Sequence, residues 1–284
     1  MSMISLAQKT KKLLRPILHR LERSAFAVPL YHIFDFYYLM RYKLLARPSI
    51  PEADRKNVEE NVTFIFKSFN RQKLAKRVYD SIISYYPAAA VIIADDSAEP
   101  LAIPGAHILH LPFNSGLCKG LIAALDEVKT DYVMRLDDDT ILTPRSNIHK
   151  QLSFLQKHPE VDLSGIQLSA FSKLSAKRYS RIRMNRTLII PSGTMIDDHL
   201  VVYKGPNCFL ARTEKLRAVG YDPNIRMIDH HEFFYRAAGV IVSVQDPHSC
   251  VLHCHNRFDR AYMRFRSDTA GDAVYIRKKH ASAR

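Results

Sequence analysis

Tryptophan is absent from this chain of 284 residues, cysteine occurs only as Cys118, Cys208, Cys250 and Cys254, and acid is scarce beside base. Four cysteines at this length do not make a disulfide scaffold, which points to a reducing compartment, with the cytoplasm as the default. Long apolar runs are missing too. The most apolar early stretch, Ala25 to Met40, has sixteen residues interrupted by Pro29, His32 and Asp35, short of the roughly 20 that a spanning helix requires. These absences predict no transmembrane helix and no cleaved signal peptide.

What is present suits one folded α/β core: 47% hydrophobic, 25% charged and 10% aromatic residues, ordinary values for a globular protein. The formal net charge is +14, so phosphate-rich partners are favoured. Half of it lies in residues 1 to 47, where Lys9, Lys11, Lys12, Arg15, Arg20, Arg23, Arg41, Lys43 and Arg47 face only Glu22 and Asp35. The rings of Phe26, Tyr31, Phe34, Phe36, Tyr37 and Tyr38 follow the first of these cations. That order suits an arm lying on an anionic membrane surface. Alternatively, Leu13, Leu14, Ile17, Leu18 and Leu21, spaced as on one helical face, pack on the domain. Pro48 to Glu59 reads as a polar linker. The expected organisation is therefore a basic amphipathic arm and linker over 1–60 and a catalytic domain over 61–284.

From Val62 onward short apolar runs alternate with longer helical ones, as in βαβ units around a mostly parallel sheet between helices. The pattern predicts strands at 62–67, 90–94, 106–110, 132–136, 161–169 and 188–191. Helices are predicted at 72–85, 116–128, 148–157 and 229–238.

The chemistry concentrates where a strand ends in Asp137, Asp138 and Asp139. Ligands bind α/β folds at such strand ends. Alternation along extended backbone puts Asp137 and Asp139 on one side and Asp138 on the other. Carboxylates packed this closely repel unless a cation is present, and Mg²⁺ or Mn²⁺ joins such oxygens to substrate phosphates. A second strand ends in Asp95 and Asp96, and the first is followed by Ser68, Phe69, Asn70 and Arg71.

These residues resemble glycosyltransferase family 2 and its GT-A relatives, which implies an α/β GT-A-like αβα sandwich. The resemblance implies that Ser68, Asn70, Arg71, Asp95 and Asp96 cradle a nucleotide. The Asp-x-Asp strand end, Asp137 to Asp139 with Asp138 between, would hold metal and diphosphate. Asn114 to Gly120 looks like the family segment opening a helix beneath the donor, with Asn114 and Lys119 as contacts. The later stretches Asn207 to Arg212, Val219 to Pro223 and His231 to Phe234 resemble β-1,4-N-acetylgalactosaminyltransferases.

That likeness implies an inverting enzyme with Glu232 as base and Asp229, His230 and His231 as its rivals. His255 would complete a metal site with Asp137 and Asp139, and His253 shares its face. A structural zinc held by Cys250, His253, Cys254 and His255 is the other reading of that segment. The implied cofactor is Mn²⁺ or Mg²⁺, and the implied partners are a UDP-sugar donor and a glycan or glycolipid acceptor, with no nucleic acid. The missing tryptophan speaks against processive polysaccharide synthases. The basic run Lys173, Lys177, Arg178, Arg181, Arg183 and Arg186 either meets an anionic acceptor or forms a solvated loop. Two rivals remain: a sugar nucleotidyltransferase, for which no Gly-rich phosphate loop follows the first strand, and a basic binding module without activity.

Overall fold

The computed structural model describes residues 20–21, 24–44, 49–169, 186–256, 258–266 and 269–281. The leucine face expected over Leu13 to Leu18 and the basic residues Lys173 to Arg183 lie outside these. Two compact units are formed, Met1–Leu44 with His255–Asp268, and Leu45–Cys254 with Thr269–Arg284. The smaller contains helix α1 (Ala27–Leu44), whose Ala27 and Tyr38 are buried. Within the same unit Asn256 Nδ2 donates to the Tyr31 carbonyl at 3.0 Å, and the Phe34 and Phe258 rings meet at 5.4 Å.

The larger unit begins with α2 (Glu52–Asn61), in the stretch expected as a linker. Glu52 and Asp54 in its first turn suit the helix dipole, Val58 is buried, and Asn57 Nδ2 donates to Gln156 at 3.0 Å. Next come β1 (Val62–Ser68), α3 (Gln72–Tyr85), β2 (Ala90–Asp95), β3 (His107–His110), α4 (Leu117–Asp126), β4 (Tyr132–Arg135) and β5 (Thr140–Ile141). They are followed by α5 (Ile148–Lys157), β6 (Leu163–Ser169), β7 (Met195–Ile196), β8 (His199–Val201) and β9 (Phe209–Arg212). The chain continues through α6 (Thr213–Val219), α7 (Asp229–Ala237) and β10 (Ser243–His253), enters the smaller unit as α8 (Arg260–Arg266), and returns as α9 (Ala270–Ala281).

The strands form one mixed sheet in the order β3-β2-β1-β4-β9-β6-β10-β8-β7, with β5 on β10. Strands β3, β2, β1 and β4 run parallel, and β9 lies antiparallel between β4 and β6. Residues 188–191, expected as a strand, form none; Pro191 supplies no amide for a ladder there. Strand β10 is bulged between Gln245 and Cys250, where Pro247 interrupts it. Side-chain alternation divides the core. Ile65, Ile92 and Val133 pack with Leu121 of α4 and with Phe233 and Phe234 of α7, while Phe64 stacks on Tyr86 after α3.

Candidate active site

Strand β4 ends at Arg135, and Asp138 and Asp139 occupy a turn before β5. Strand alternation therefore does not extend to the acidic triplet. Asp138 and Asp139 instead share one cation: Arg71 donates to Asp138 at 2.8 Å and to Asp139 at 3.0 Å. All three side chains are buried. Burial pushes the Asp138 carboxyl up to about 6 against the opposing pull of Arg71. Asp137 keeps a partly open side chain 3.6 Å from Arg135. Its backbone is closed by Thr140, whose hydroxyl donates to the Asp137 carbonyl at 2.7 Å.

The second oxygen of Asp139 lies 3.3 Å from His253 Nε2. The sheet dictates this meeting, because β10 pairs antiparallel with β5, His253 opposite Thr140. The Cys254 amide also donates to the Asp139 carbonyl at 2.6 Å. A carboxylate oxygen and an imidazole nitrogen converging in this way are a donor set that fits a divalent ion. Among the described residues of the larger unit, Asp139 and His253 are grouped as possible metal holders and Asp137 is outside that group; the expected ligand His255 belongs to the smaller unit. The cysteines of the zinc reading do not join it. Cys250 and Cys254 are buried, their thiols directed at the backbone carbonyls of Val251 and Leu252 at 3.6 and 3.9 Å.

The ends of β1 and β2 form the neighbouring part of the site. Asp96 is fully buried, pairs with Lys67, and accepts the Gly116 amide at 2.9 Å. The Lys67 ammonium also lies 4.7 Å from the centre of the Phe69 ring. Gly120 makes room for it: a Cβ there would stand 2.5 Å from Lys67 Cγ. Lys67 is the cation the sequence reading passed over, although a lysine ending an otherwise apolar strand was its visible signal. Lys119, the expected cation, is exposed on α4. Asp95 fastens its own loop, accepting from Ser97 Oγ at 2.5 Å and the Leu101 amide at 2.8 Å. Asn70, at φ 52°, accepts the Ala98 amide at 3.0 Å and donates its own to Ser97 Oγ at 2.7 Å. Ser68 is buried, its hydroxyl without a partner among the described residues. The segment expected to offer amides to phosphate is partly committed. Gly116 donates to Asp96, Leu117 donates to the Arg226 carbonyl at 2.8 Å, and Asn114 Oδ1 accepts from Arg226 at 2.7 Å.

Helix α7 carries Asp229, His230, His231 and Glu232. Asp229 is buried and accepts from Arg135 at 3.0 Å; burial raises its pKa and Arg135 opposes the rise. Glu232, expected as the base, is a buried member of a clamp. It accepts from Arg236 Nε and from Lys279 Nζ of α9, each at 2.7 Å, and Lys279 also reaches Asp222 at 2.6 Å. Burial alone would raise the Glu232 carboxyl; the bonds from Arg236 and Lys279 outweigh it and hold the group below its usual range. Such a carboxylate is a weak proton acceptor. Burial, then Lys204 and Arg135, push His230 well below the usual imidazole value. Partial desolvation, then Lys204, lowers the largely exposed His231 as well. Both imidazoles are therefore neutral near pH 7.

A parallel half-sheet, joined to antiparallel strands and ending in buried acids, defines an α/β protein of the GT-A type. The chain belongs to glycosyl transferase family 2, whose profile matches residues 63–220. It is 31% identical over 210 residues to the Homo sapiens beta-1,4 N-acetylgalactosaminyltransferase 1, an alignment covering 67% of this chain and 38% of that protein. With the amylovoran biosynthesis glycosyltransferase AmsE of Erwinia amylovora it shares 27% identity over 184 residues, 62% of this chain and 64% of that one. Its fold is like that of S. aureus TarS crystallised with UDP-GlcNAc, at a TM-score of 0.53 and 13% identity, covering 68% of this chain and 58% of that one. The chain thus spans 38% of the length of the human relative.

Proposed function

We propose that this chain moves a hexosyl or N-acetylhexosaminyl group from a UDP-sugar to a hydroxyl of a glycan or glycolipid, with inversion at the anomeric carbon. The reading includes Mn²⁺ or Mg²⁺ bound by Asp139, with His253 and Asp137 as further ligands. It also includes a cytoplasmic, peripheral position on an anionic membrane surface, supplied by the arm within residues 1–60. The observation that carries the reaction is the Asp139 carboxylate, one oxygen tied to Arg71 and the other facing His253 at 3.3 Å. The UDP-GlcNAc in the TarS structure and the name of the human relative support the donor class, and the amylovoran transferase supports a glycan acceptor.

When bound, a divalent ion offsets the charge gathering on the departing diphosphate. The protein's own part is to hold charges in place before the reaction begins. Arg71 keeps Asp138 and Asp139 from repelling one another and limits Asp139 to one presented oxygen. Lys67, set between Asp96 and Phe69, brings positive charge to the ends of β1 and β2, on the donor side.

Inversion needs one group to take the acceptor proton as the hydroxyl attacks. We assign that role to His231, which is exposed and neutral, and not to Glu232, whose charge is committed to Arg236 and Lys279. The decisive experiment screens nucleotide sugars for metal-dependent hydrolysis and transfer, with the intact chain and with Asp139→Asn. Turnover that persists in chelator, or at the parent rate in Asp139→Asn, would remove the metal mechanism.

A further inference from the structure

Helix α1 is unusual in what it turns outward. A surface helix ordinarily faces water with charge and the core with apolar groups. Here Phe26 at its start, Ile33 and Phe36 are 67%, 61% and 63% exposed, and Ala25 and Pro29 are exposed with them. At 100° per residue these five positions fall on one stripe. Only His32 brings a polar group to its edge among the exposed residues from 25 to 36. The opposite side is occupied: Ala27 and Tyr38 are buried, and Tyr31 and Phe34 meet Asn256 and Phe258. The outward stripe is therefore not a core face that lost its register. Of the nine large hydrophobic residues that stand exposed among those described, four, counting Val28, lie within the eleven positions from 26 to 36.

Charge complementarity identifies what covers this stripe. The unit that holds α1 carries twelve Lys or Arg against four Asp or Glu in its sequence. Arg260, Arg264 and Arg266 of α8 are exposed. A protein partner matched to an apolar stripe has no need of such a cationic surround, whereas an anionic bilayer offers acyl chains and negative headgroups together. None of the described helices is long and apolar enough to cross a membrane. We propose that α1 lies in the plane of an anionic lipid surface, with Phe26, Ile33 and Phe36 entering the acyl boundary and the arginines of the same unit meeting headgroups. This deepens the peripheral-membrane part of the function proposed above and rests on that reading only for the acceptor's location.

The absence of tryptophan supplies the test, since Phe36→Trp makes a single emitter at the centre of the stripe. Its emission is expected to move to the blue on adding phosphatidylcholine–phosphatidylglycerol vesicles, and to move less in high salt or with phosphatidylcholine alone. In the full chain, Ile33→Asp with Phe36→Asp is expected to weaken vesicle binding at least roughly 100-fold, because two large apolar side chains no longer leave water. Circular dichroism of that variant checks that the fold is kept.

Co-sedimentation with unchanged Trp emission would mean that cations alone bind lipid, and would overturn the buried stripe. Emission already blue without lipid, in a chain that sediments as a dimer, would assign the stripe to a second copy. Failure to bind anionic vesicles at all would end the proposal. Hydrolysis of a UDP-sugar in solution is expected to be the same in these variants and the parent. Its absence from all of them would sink the proposed reaction and leave the lipid result standing.

Discussion

The ends of β1 and β4 and the start of α7 are built from the same materials, buried carboxylates held by buried or half-buried cations, yet the two arrangements differ. At the ends of β1 and β4, Arg71 bridges two acids and leaves an oxygen of Asp139 directed at His253. At α7, Arg236 and Lys279 close on Glu232, and Lys279 carries the tie on to Asp222. The first arrangement turns a carboxylate oxygen towards an imidazole, and the second spends its charge joining α9 to α7. A buried acid near a strand or helix end is thus no sign of catalysis until its partners are known.

The sharpest way to break this comparison is at Asp139. Asp139→Asn should lower transfer by roughly 10³-fold, the loss of several kcal/mol of charge stabilisation, and should weaken Mn²⁺ binding measured by calorimetry. Retained affinity for the ion would place the ligand elsewhere.

Next, His231→Ala should lower kcat by roughly 10²-fold, as for a lost general base, with the thermal midpoint almost unchanged. Glu232→Gln should do the reverse, costing about 2 kcal/mol of stability because two partly solvated cations lose their acid, while kcat stays near the parent value. If Glu232→Gln is inactive and fully stable, the roles must be exchanged.

The clamp should also be visible in pH. Asp222 is held down to about 2, with burial opposing and Lys279, Asn224 and Tyr275 holding the charge, and Glu232 is lowered as well. Depressed carboxyls stabilise the fold above their unfolded values and lose that contribution as pH falls through the folded ones. The urea midpoint of Lys279→Ala should therefore lie below the parent's near pH 7, and the gap should shrink from about pH 4 towards pH 2. A gap independent of pH would mean that Lys279 acts by packing.

The smallest effect is expected at Gly120. An added Cβ there would meet Lys67 Cγ at 2.5 Å, so Gly120→Ala should shift Lys67 from Asp96 and raise the donor KM by roughly 3- to 10-fold. An unchanged KM would detach Lys67 from the donor.

Much of this was legible residue by residue. The helix at 148–157 and the strands feeding Asp95 and the acidic triplet follow from hydrophobic period alone. Others were hidden by local conflict. Pro51 and a charged composition masked α2, whose buried Val58 is a single apolar signal. Asp246, Pro247 and His248 concealed β10, which continues through a bulge. Asp137 and Asp139 do not alternate along a strand as expected, because β4 ends at Arg135 and a turn follows.

By itself the sequence determined the α/β alternation, the acidic strand ends, the cationic arm and the family resemblance, all of which rest on neighbours in the chain or on short-range period. Only the tertiary structure decided which cation each acid would hold. Arg71 and Asp138 are 67 positions apart, Arg135 and Asp229 94, and Glu232 and Lys279 47. No local pattern encodes such pairings; they come from strand order and helix docking, and they separate an acid that presents an oxygen from one that fastens a helix.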